Sequence, residues 1–546
     1  MNRKRDSLAL GVMLMAAGCA APQAAGPPQV AQEQQPKYGG VLSVTNESDP
    51  FDFDMSYGGK TTTNSESIAL VYESLLAFKN GPEIKHTEAV LLPELAERWE
   101  VSPDARAFTF HLKKGVRFPD EGPVNGRELI SPDVKWSYQY WSRSGQFVEK
   151  KLPPSQIDFM FEGLDAVETP DAYTAVVRFK EPFSPFLSYT ASNWNPIVPK
   201  EIYEADGHLK NRMAGTGPFR LNVEASQKGT RWMFEKNSAY RDPGRPYLNQ
   251  IRRLVLADDA TERAAFQTQQ LDILGSGRSG ADYNDAMELK KAMPSAVVQE
   301  FLQPKGYHLY FTGARRGPFD DVRVRRAFAL AIDRDEMNRV MSGGRGAWAA
   351  TGAWPGLFTD EETRQLMRHD PDEARRLLRE ASFPFDWVLE WTNVIESKVA
   401  NETIIPLVQS QLSKIGVKSE LKLIPRAIQR QRKYAGDYDL DMDFATGALE
   451  ADFDSLLFGG YYSKSALNWS HLNDPELDKL LFAQRQETDA AKRRELHRTV
   501  VRRIVDQAWG VDIIFPVKAA VIQPYVRNYY AHFARHDTPV HVWLDK

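Results

Sequence analysis

Three stretches of this sequence place reactive or ligating residue types at spacings that chemistry uses. Gly275-Ser-Gly277-Arg-Ser-Gly280 has the G-x-G-x-x-G spacing of a loop that cradles a dinucleotide pyrophosphate. It follows the short run Leu271-Asp-Ile-Leu274, and Glu300 stands about 20 residues on, where a ribose hydroxyl would need an acceptor. Two features argue against it. Asp272 interrupts a strand that should be apolar on both faces, and Asp282 and Asp285 put negative charge where a pyrophosphate needs positive potential. A surface loop is the simpler reading. Asp437, Asp439, Asp441 and Asp443 alternate, and Asp439 with Glu450 has the first-to-twelfth spacing of a calcium loop. Phe444 stands at the sixth position, where that loop needs glycine for its sharp turn, so Tyr438-Asp-Leu-Asp-Met-Asp-Phe444 is expected to be an alternating strand. His532 and His536 would share a helix face as metal ligands do, with His541 nearby. Pro539 and the flanks Asn528-Tyr-Tyr530 and Val540-His-Val-Trp543 favour turns and strands there, and no paired carboxylate completes a site. No G-x-S-x-G, P-loop or H-E-x-x-H occurs, so no local motif calls for a nucleophile, a cofactor or a metal.

The one cysteine, Cys19, has a different chemistry in view. The rest of the chain has no thiol, which excludes internal disulfides, cysteine-ligated zinc, iron–sulfur clusters and thiol catalysis in the body. Arg3, Lys4 and Arg5 precede an apolar stretch from Leu8 to Ala17, and Ala16-Ala-Gly-Cys19 follows. That is a secretory signal over residues 1–18, too short to span a bilayer. Ala-Ala-Gly-Cys resembles the bacterial lipobox, although Ala16 stands where that pattern prefers leucine. It implies cleavage before Cys19 and its lipidation. Residues 19–37 are rich in Ala, Gln and Pro and read as a flexible tether from that anchor. Lys+Arg is 69 against Asp+Glu 73, a net charge of −4, so there is no basic field to hold nucleic acid.

At 546 residues the chain is long enough for three to four domain-sized units of about 150 residues. Strand-like and helix-like segments alternate from Tyr38 onward, with no internal repeat. Val41–Val44, Phe108–Leu112, Ala172–Phe179 and Arg231–Glu235 read as strands. A helix is expected over 321–341, capped by Asp321 and stopped at Gly343-Gly344. Another is expected over 402–415, ending at Gly416, and a third opens at Asp474-Pro-Glu476. The class is mixed α/β with its core divided between lobes. Aromatic and amide residues sit at loops: Trp194-Asn195, Trp348, Trp354, Trp391-Thr-Asn393, Tyr461-Tyr462 and Asn468-Trp469. A ligand cleft between lobes uses such groups, aromatic faces for area and amides for orientation.

Several segments in this order are similar to the family 5 solute-binding proteins of ABC importers, the oligopeptide, dipeptide and nickel class. They are Lys37-Tyr-Gly-Gly-Val-Leu42, Leu95-Ala-Glu-Arg-Trp-Glu-Val-Ser-Pro-Asp104, Phe108-Thr-Phe-His-Leu-Lys-Lys-Gly-Val-Arg-Phe118 and Ser131-Pro-Asp-Val-Lys-Trp136, then Gly215-Thr-Gly-Pro-Phe219, the run from Pro318 to Asp333, and Asn473-Asp-Pro-Glu-Leu-Asp478. The resemblance implies an α/β two-lobed periplasmic-binding-protein (flytrap) fold with an inserted extra subdomain. Lobe I would comprise 38–82, 207–304 and 517–546, the inserted subdomain 83–206, and lobe II 305–516. It also implies a monomeric, exported, non-catalytic receptor with no cofactor, which captures a peptide or peptide-like solute and delivers it to an ABC permease and its ATPase. A non-peptide solute (opine, oligosaccharide or metal chelate) is the alternative, and an exported hydrolase is the competing class. Peptide-binding members fix the ligand's ammonium with an aspartate. Here the corresponding position falls on Leu449, so that anchor is either missing or moved to Glu450 or Asp452. The expected ligand-binding residues are Trp194, Asn195, Trp391, Asn393, Glu450, Asn468 and Trp469, each just past a strand end or in the loop that follows.

Overall fold

The computed structural model describes residues 35–46, 49–50, 52–56, 62–84, 89–153, 155, 157–256, 258–276, 280–303, 306–312, 317–348, 356–395, 397, 399–444, 452–531 and 539–546. Three sheets organise residues 37–546. The first has eight strands. Val41–Asn46 runs parallel to Gln250–Val255 and to Ile273–Leu274, with Val44 opposite Arg253 and Ile273. Val517–Ile522 joins from the far end of the sequence and pairs antiparallel with Ile273–Leu274, Ala281–Asp282 and Val297–Leu302. Flanked by strands on both sides, Val517–Ile522 is buried at every position, which is why its sequence, VKAAVI, alternates little. Phe219–Gln227 and Arg231–Lys236 complete the sheet.

The second sheet has the order Lys418–Ile424, Val388–Val394, Leu440–Phe444, Tyr307–Phe311 and Val511–Asp512. The third is a four-stranded antiparallel sheet of Ala96–Val101, Ala107–Leu112, Thr174–Phe179 and Leu164–Asp171. Its strand Ala107–Leu112 alternates half-buried and buried residues, the pattern of a sheet with one covered face. Phe108, Phe110 and Leu112 face the helix Ser131–Ser142 side in one large apolar cluster. That cluster continues into the first sheet (Leu42, Ile251, Ile522) and into Leu457, Phe458 and Tyr461. The second sheet has its own core, built on Leu309, Phe328, Leu389, Trp391 and Met442.

The chain passes between the first and second sheets twice, from Leu302 to Tyr307 and from Asp512 to Val517, and the two passages are bonded to each other. Gln303 N–H donates to Pro516 O at 2.9 Å, Tyr307 N–H to Ile514 O at 3.1 Å, and Ile513 N–H to Tyr307 O at 2.8 Å. Arg334, fully buried beside them, donates Nε to Asp512 O at 2.9 Å and Nη1 to Met367 O at 3.0 Å. Backbone approach here demands small residues. A Cβ at Gly306 would sit 2.7 Å from the Phe515 ring.

Local expectations fared unevenly. The helix expected over 321–341 is two helices, Val322–Ala331 and Arg334–Ser342. Ile332 is extended, and Asp333 restarts the helix by accepting from Glu336 N at 2.9 Å. The expected helix over 402–415 opens as a π turn, Ala400–Ile404, before Ile405–Ser413. Pro406 has no N–H to donate back into that turn, so the wider turn costs no hydrogen bond there. Asp474 caps Pro475–Gln486 through bonds from Glu476 N and Leu477 N, both 3.2 Å.

Gly510 tests how tightly this region is packed. A Cβ there would lie 2.0 Å from Nε2 of His308, whose Nδ1 is held by Asp512 at 2.8 Å. Gly510→Ala is expected to lower stability by about 1–3 kcal/mol, the usual cost of overpacking. Urea unfolding reads it directly, and an unchanged midpoint would refute the close contact.

Candidate functional site

Register sorts the second sheet into two chemically different faces. His308 lies opposite Asp443 and Asp512, Tyr310 opposite Asp441, and Thr392 also opposite Asp441. Strand alternation therefore puts His308, Tyr310, Thr392, Asp441, Asp443 and Asp512 on one face. Leu309, Phe311, Leu389, Trp391, Leu440 and Met442 fall on the other and form the second core.

Lys433 crosses the polar face from the helix Arg426–Ala435. Its Nζ donates to Asp441 Oδ1 at 2.7 Å and to Asp443 Oδ2 at 2.9 Å. Gln429, one helical turn earlier, donates to Asp441 Oδ2 at 3.0 Å, and Thr392 Oγ1 donates to the same oxygen at 3.2 Å. The ammonium also lies 4.1 Å from the ring centre of Trp469 and 5.1 Å from that of Tyr310. Burial works against this ammonium, but the two carboxylates outweigh it and hold its pKa above the ordinary value. Burial likewise pushes Asp441 up to about 6, with Lys433 opposing and Asp443 adding to the rise. The lysine ammonium is thus the fixed charge, and Asp441 is the carboxylate that burial makes easier to protonate beside it.

This network reaches solvent at one end only. Lys433 and Asp441 are enclosed, whereas Asp443 keeps 25% of its side-chain exposure and Trp469 is half-buried. The Trp469 indole is backed by the ammonium and by the edge of Tyr310, at 5.7 Å between ring centres. Tyr438 fixes its backbone by donating OH to Trp469 O at 2.8 Å. An aromatic plate beside a carboxylate can stack an apolar or planar group and accept hydrogen bonds from its edge. His308 with Asp512 resembles half of a catalytic triad. It is only 2% exposed, Gly510 closes over its Nε2, and the pair links the strands Tyr307–Phe311 and Val511–Asp512.

The expected site residues separate accordingly. Trp469 belongs to the half-open wall. Asn468 is spent on its own loop, donating to Ser463 O and Leu472 O at 3.2 and 2.9 Å and accepting from Leu472 N. Trp391 is fully buried in the second core, on the face opposite Asp441. Asn393, next but one, is buried and donates to Asn401 Oδ1 at 2.7 Å, while its own Oδ1 is enclosed with no hydrogen-bond partner among the described residues. Trp194 and Asn195 are buried in the large shared cluster region, Asn195 Nδ2 lying 3.9 Å from Met160 Sδ. Trp469 packs against that same cluster, so it and Trp194 share a core that Trp391 does not. Glu450, Cys19, His532 and His536 lie outside the described residues.

Asp452 is committed elsewhere. It caps the helix Phe453–Tyr461 by accepting from Asp454 N at 2.9 Å, and both its oxygens grip Arg493 at 2.7 Å. Burial alone would raise its pKa, but the guanidinium holds it down at about 2. Among the motifs, Gly275 must be glycine because a Cβ would fall 2.2 Å from Ala281 N. Gly275 thus lies close against the edge strand Ala281–Asp282. His541 is exposed and meets Arg245 at 3.4 Å. Among the described residues no group of three or more His, Cys, Asp or Glu could hold a metal ion, and no helix is long and apolar enough to cross a membrane.

Residues 90–466 match the family described as bacterial extracellular solute-binding proteins, family 5 Middle. The chain belongs to this family. It is 24% identical over 510 residues to the dipeptide-binding protein of Escherichia coli (strain K12), covering 90% of this chain and 92% of that one. Among solved structures, the periplasmic binding protein DppA from Helicobacter pylori, in complex with the peptide STSA, superimposes with a TM-score of 0.80 at 21% identity, over 93% of this chain and 99% of that one. The binding protein AgaA from A. tumefacien R10, in complex with agropinic acid, gives 0.78 at 23% identity, over 93% and 99%. The fold is thus that of the two-lobed periplasmic binding proteins, and the chain is a solute-binding protein of family 5.

The wall of Lys433, Asp441, Asp443 and Tyr310 was not among the expected site residues. The alternation in Tyr438–Phe444 pointed to its strand, but the buried lysine comes from a separate helix and only the folded register joins them.

Asp452→Asn would leave Arg493 buried without its partner and is expected to cost about 3–5 kcal/mol at pH 7. Because the folded pKa lies below the unfolded one, that contribution is complete above about pH 4 and fades as pH falls toward 2. Urea titrations of both forms at pH 7 and pH 3 check it. A gap that stayed constant between the two pH values would refute the pairing.

Proposed function

We propose that this protein captures a peptide-like solute between its two lobes and hands it intact to the permease of an ABC importer. Lipid-modified Cys19 and the tether through residue 37 keep the body near the membrane. The observation that carries the reading is the half-open wall of the second lobe, where the indole of Trp469 and the Asp443 carboxylate both meet the Lys433 ammonium. A stacking surface with a hydrogen-bond acceptor at its edge suits an amide-bearing ligand with an apolar side chain. A dipeptide-binding relative across nine-tenths of the chain supports the same class. The hydrolase reading draws no support from the His308–Asp512 pair, which is buried among the described residues.

Glu450 takes the ammonium-anchoring role in this proposal. Leu449 carries no charge, and Asp452 is neutralised by Arg493. Trp469 supplies the plate, with Trp194 and Asn195 behind the opposing surface. Trp391 and Asn393 act from within the second core, by holding the strand that carries Thr392 against Asp441.

Calorimetric titration with dipeptides and tripeptides tests the assignment. Glu450→Gln should weaken a peptide by about 1.5–3 kcal/mol, the range for a hydrogen bond to a charged group. Trp469→Ala should weaken it as well, and a neutral oligosaccharide should be indifferent to Glu450. Peptide affinity unchanged in both variants, or no peptide binding beside firm binding of an opine or metal chelate, would overturn it.

A further inference from the structure

One face of the first sheet encloses a small cavity whose residues are separate from the half-open wall of the second sheet. On that face Leu42 stands opposite Ile251, and Val44 opposite Arg253. The helix Thr62–Val71 covers it with Glu66 and Leu70, one turn apart, and Tyr529 and Pro539 close it from the C-terminal segment. Ser276 completes the lining. Ser276 is half-buried whereas every other lining residue is buried, so the cavity meets the surface there. This entrance lies just past the C-terminal end of the strand Ile273–Leu274, the end at which ligands bind in open α/β sheets. The cavity measures about 30 Å³, room for a terminal group of roughly two or three heavy atoms.

Three polar atoms in and beside this cavity have no partner. Arg253 donates Nε to Asn46 Oδ1 and Nη2 to the Glu66 carboxylate, and all three residues are buried. The remaining guanidinium nitrogen, Nη1, makes no hydrogen bond among the described residues. Asn46 Nδ2 and Ser276 Oγ are likewise enclosed with no partner among the described residues. Buried polar groups left in this way are costly, and two N–H donors with a hydroxyl call for an occupant that accepts hydrogen bonds. Charge narrows the choice further. Glu66 balances Arg253, so a carboxylate would bring an uncompensated charge into a buried place. An ammonium would meet N–H donors instead of acceptors. A neutral oxygen satisfies the donors without either cost.

We propose that this cavity is a specificity pocket that receives the uncharged, oxygen-bearing tip of the captured solute, a carboxamide or hydroxyl on a short apolar stem. Arg253 Nη1 and Asn46 Nδ2 donate to the oxygen of that tip, and Ser276 Oγ accepts from its N–H or O–H at the entrance. Leu42, Val44, Leu70 and Ile251 pack the stem. Glu66 is a positioning residue, which fixes the guanidinium and cancels its charge. Among peptides the pocket selects side chains that end in an amide or hydroxyl over acidic and basic ones. The inference rests on the capture of a solute proposed above, and it names which end of that solute the first sheet reads.

Because Cys19 is the only thiol, full-length Cys19→Ser/Ser276→Cys protein carries a single reporter at the entrance. Its alkylation by iodoacetamide, iodoacetate and allyl bromide, each rate divided by that for glutathione, compares a carboxamide, a carboxylate and an oxygen-free tip. Iodoacetamide should lead both others by about tenfold, the weight of one to two hydrogen bonds. Adding Arg253→Met/Glu66→Met removes both charges together, so neither is left alone, and the lead should fall below about twofold. Asn46→Ala keeps the ion pair and should lower the lead about threefold, which decides the matter if the paired replacement does not fold. A saturating dipeptide mixture should slow iodoacetamide about fivefold or more, since tip and reagent compete for one space. Iodoacetate or allyl bromide matching iodoacetamide, a lead unchanged in the folded variants, a thiol that no reagent reaches, or dipeptide that binds without protecting it would overturn the pocket. Calorimetry keeps the two readings apart. A dipeptide mixture that gives no binding heat ends the peptide reading alone, and the reagent ratios then decide the pocket.

Discussion

The two passages between the sheets, lying side by side and bonded to each other, are the constraint on which the rest of this structure depends. Gln303, Tyr307 and Ile513 tie the two passages together, so the second sheet is joined to the first through one bonded pair of segments. That is also why it carries a separate apolar core, closed on the face of its sheet that bears Trp391 and Met442. The opposite face carries the charged groups Lys433, Asp441 and Asp443. Glycines at 306 and 510 and the buried Arg334 keep this joint compact.

Polar groups inside such a molecule are expensive unless their partners are supplied, and the chain supplies them in sets. Lys433 answers Asp441 and Asp443, Arg493 answers Asp452, and Arg485 answers Asp454. The last two arginines stand on neighbouring helices and serve carboxylates two residues apart. The start of the helix at Phe453 is therefore clamped from both sides. That helix follows directly in sequence on Glu450, the residue proposed to meet the ligand's ammonium.

Much of the fold could be read from the sequence, because the family's segments from Lys37 to Asp478 recur in order and because caps such as Asp474-Pro475 act locally. The break at Ile332 was not legible, since Val324, Phe328, Ala331 and Ile332 keep a helical period across it and only Asp333's preference to cap interrupts the run. The site was less legible than the fold. Trp391 and Trp469 look alike as loop-flanking tryptophans, yet one is enclosed and the other half-open. Pairing of Trp391 with Leu440 decides this, and a single sequence does not contain that register. The aspartates of YDLDMDF announced their strand, but the lysine that makes them a wall arrives from residue 433 through tertiary packing alone.

The central claim is that the space between the lobes receives a small solute and releases it unchanged. Native mass spectrometry of the protein isolated gently from its own cells, followed by denaturation and fragmentation of whatever is released, addresses it most directly. The account predicts one ligand per chain, with a mass and fragments of a short peptide and no covalent adduct. A chain that carries no ligand under any isolation condition, or one that releases a cleaved product from an added peptide, would contradict it.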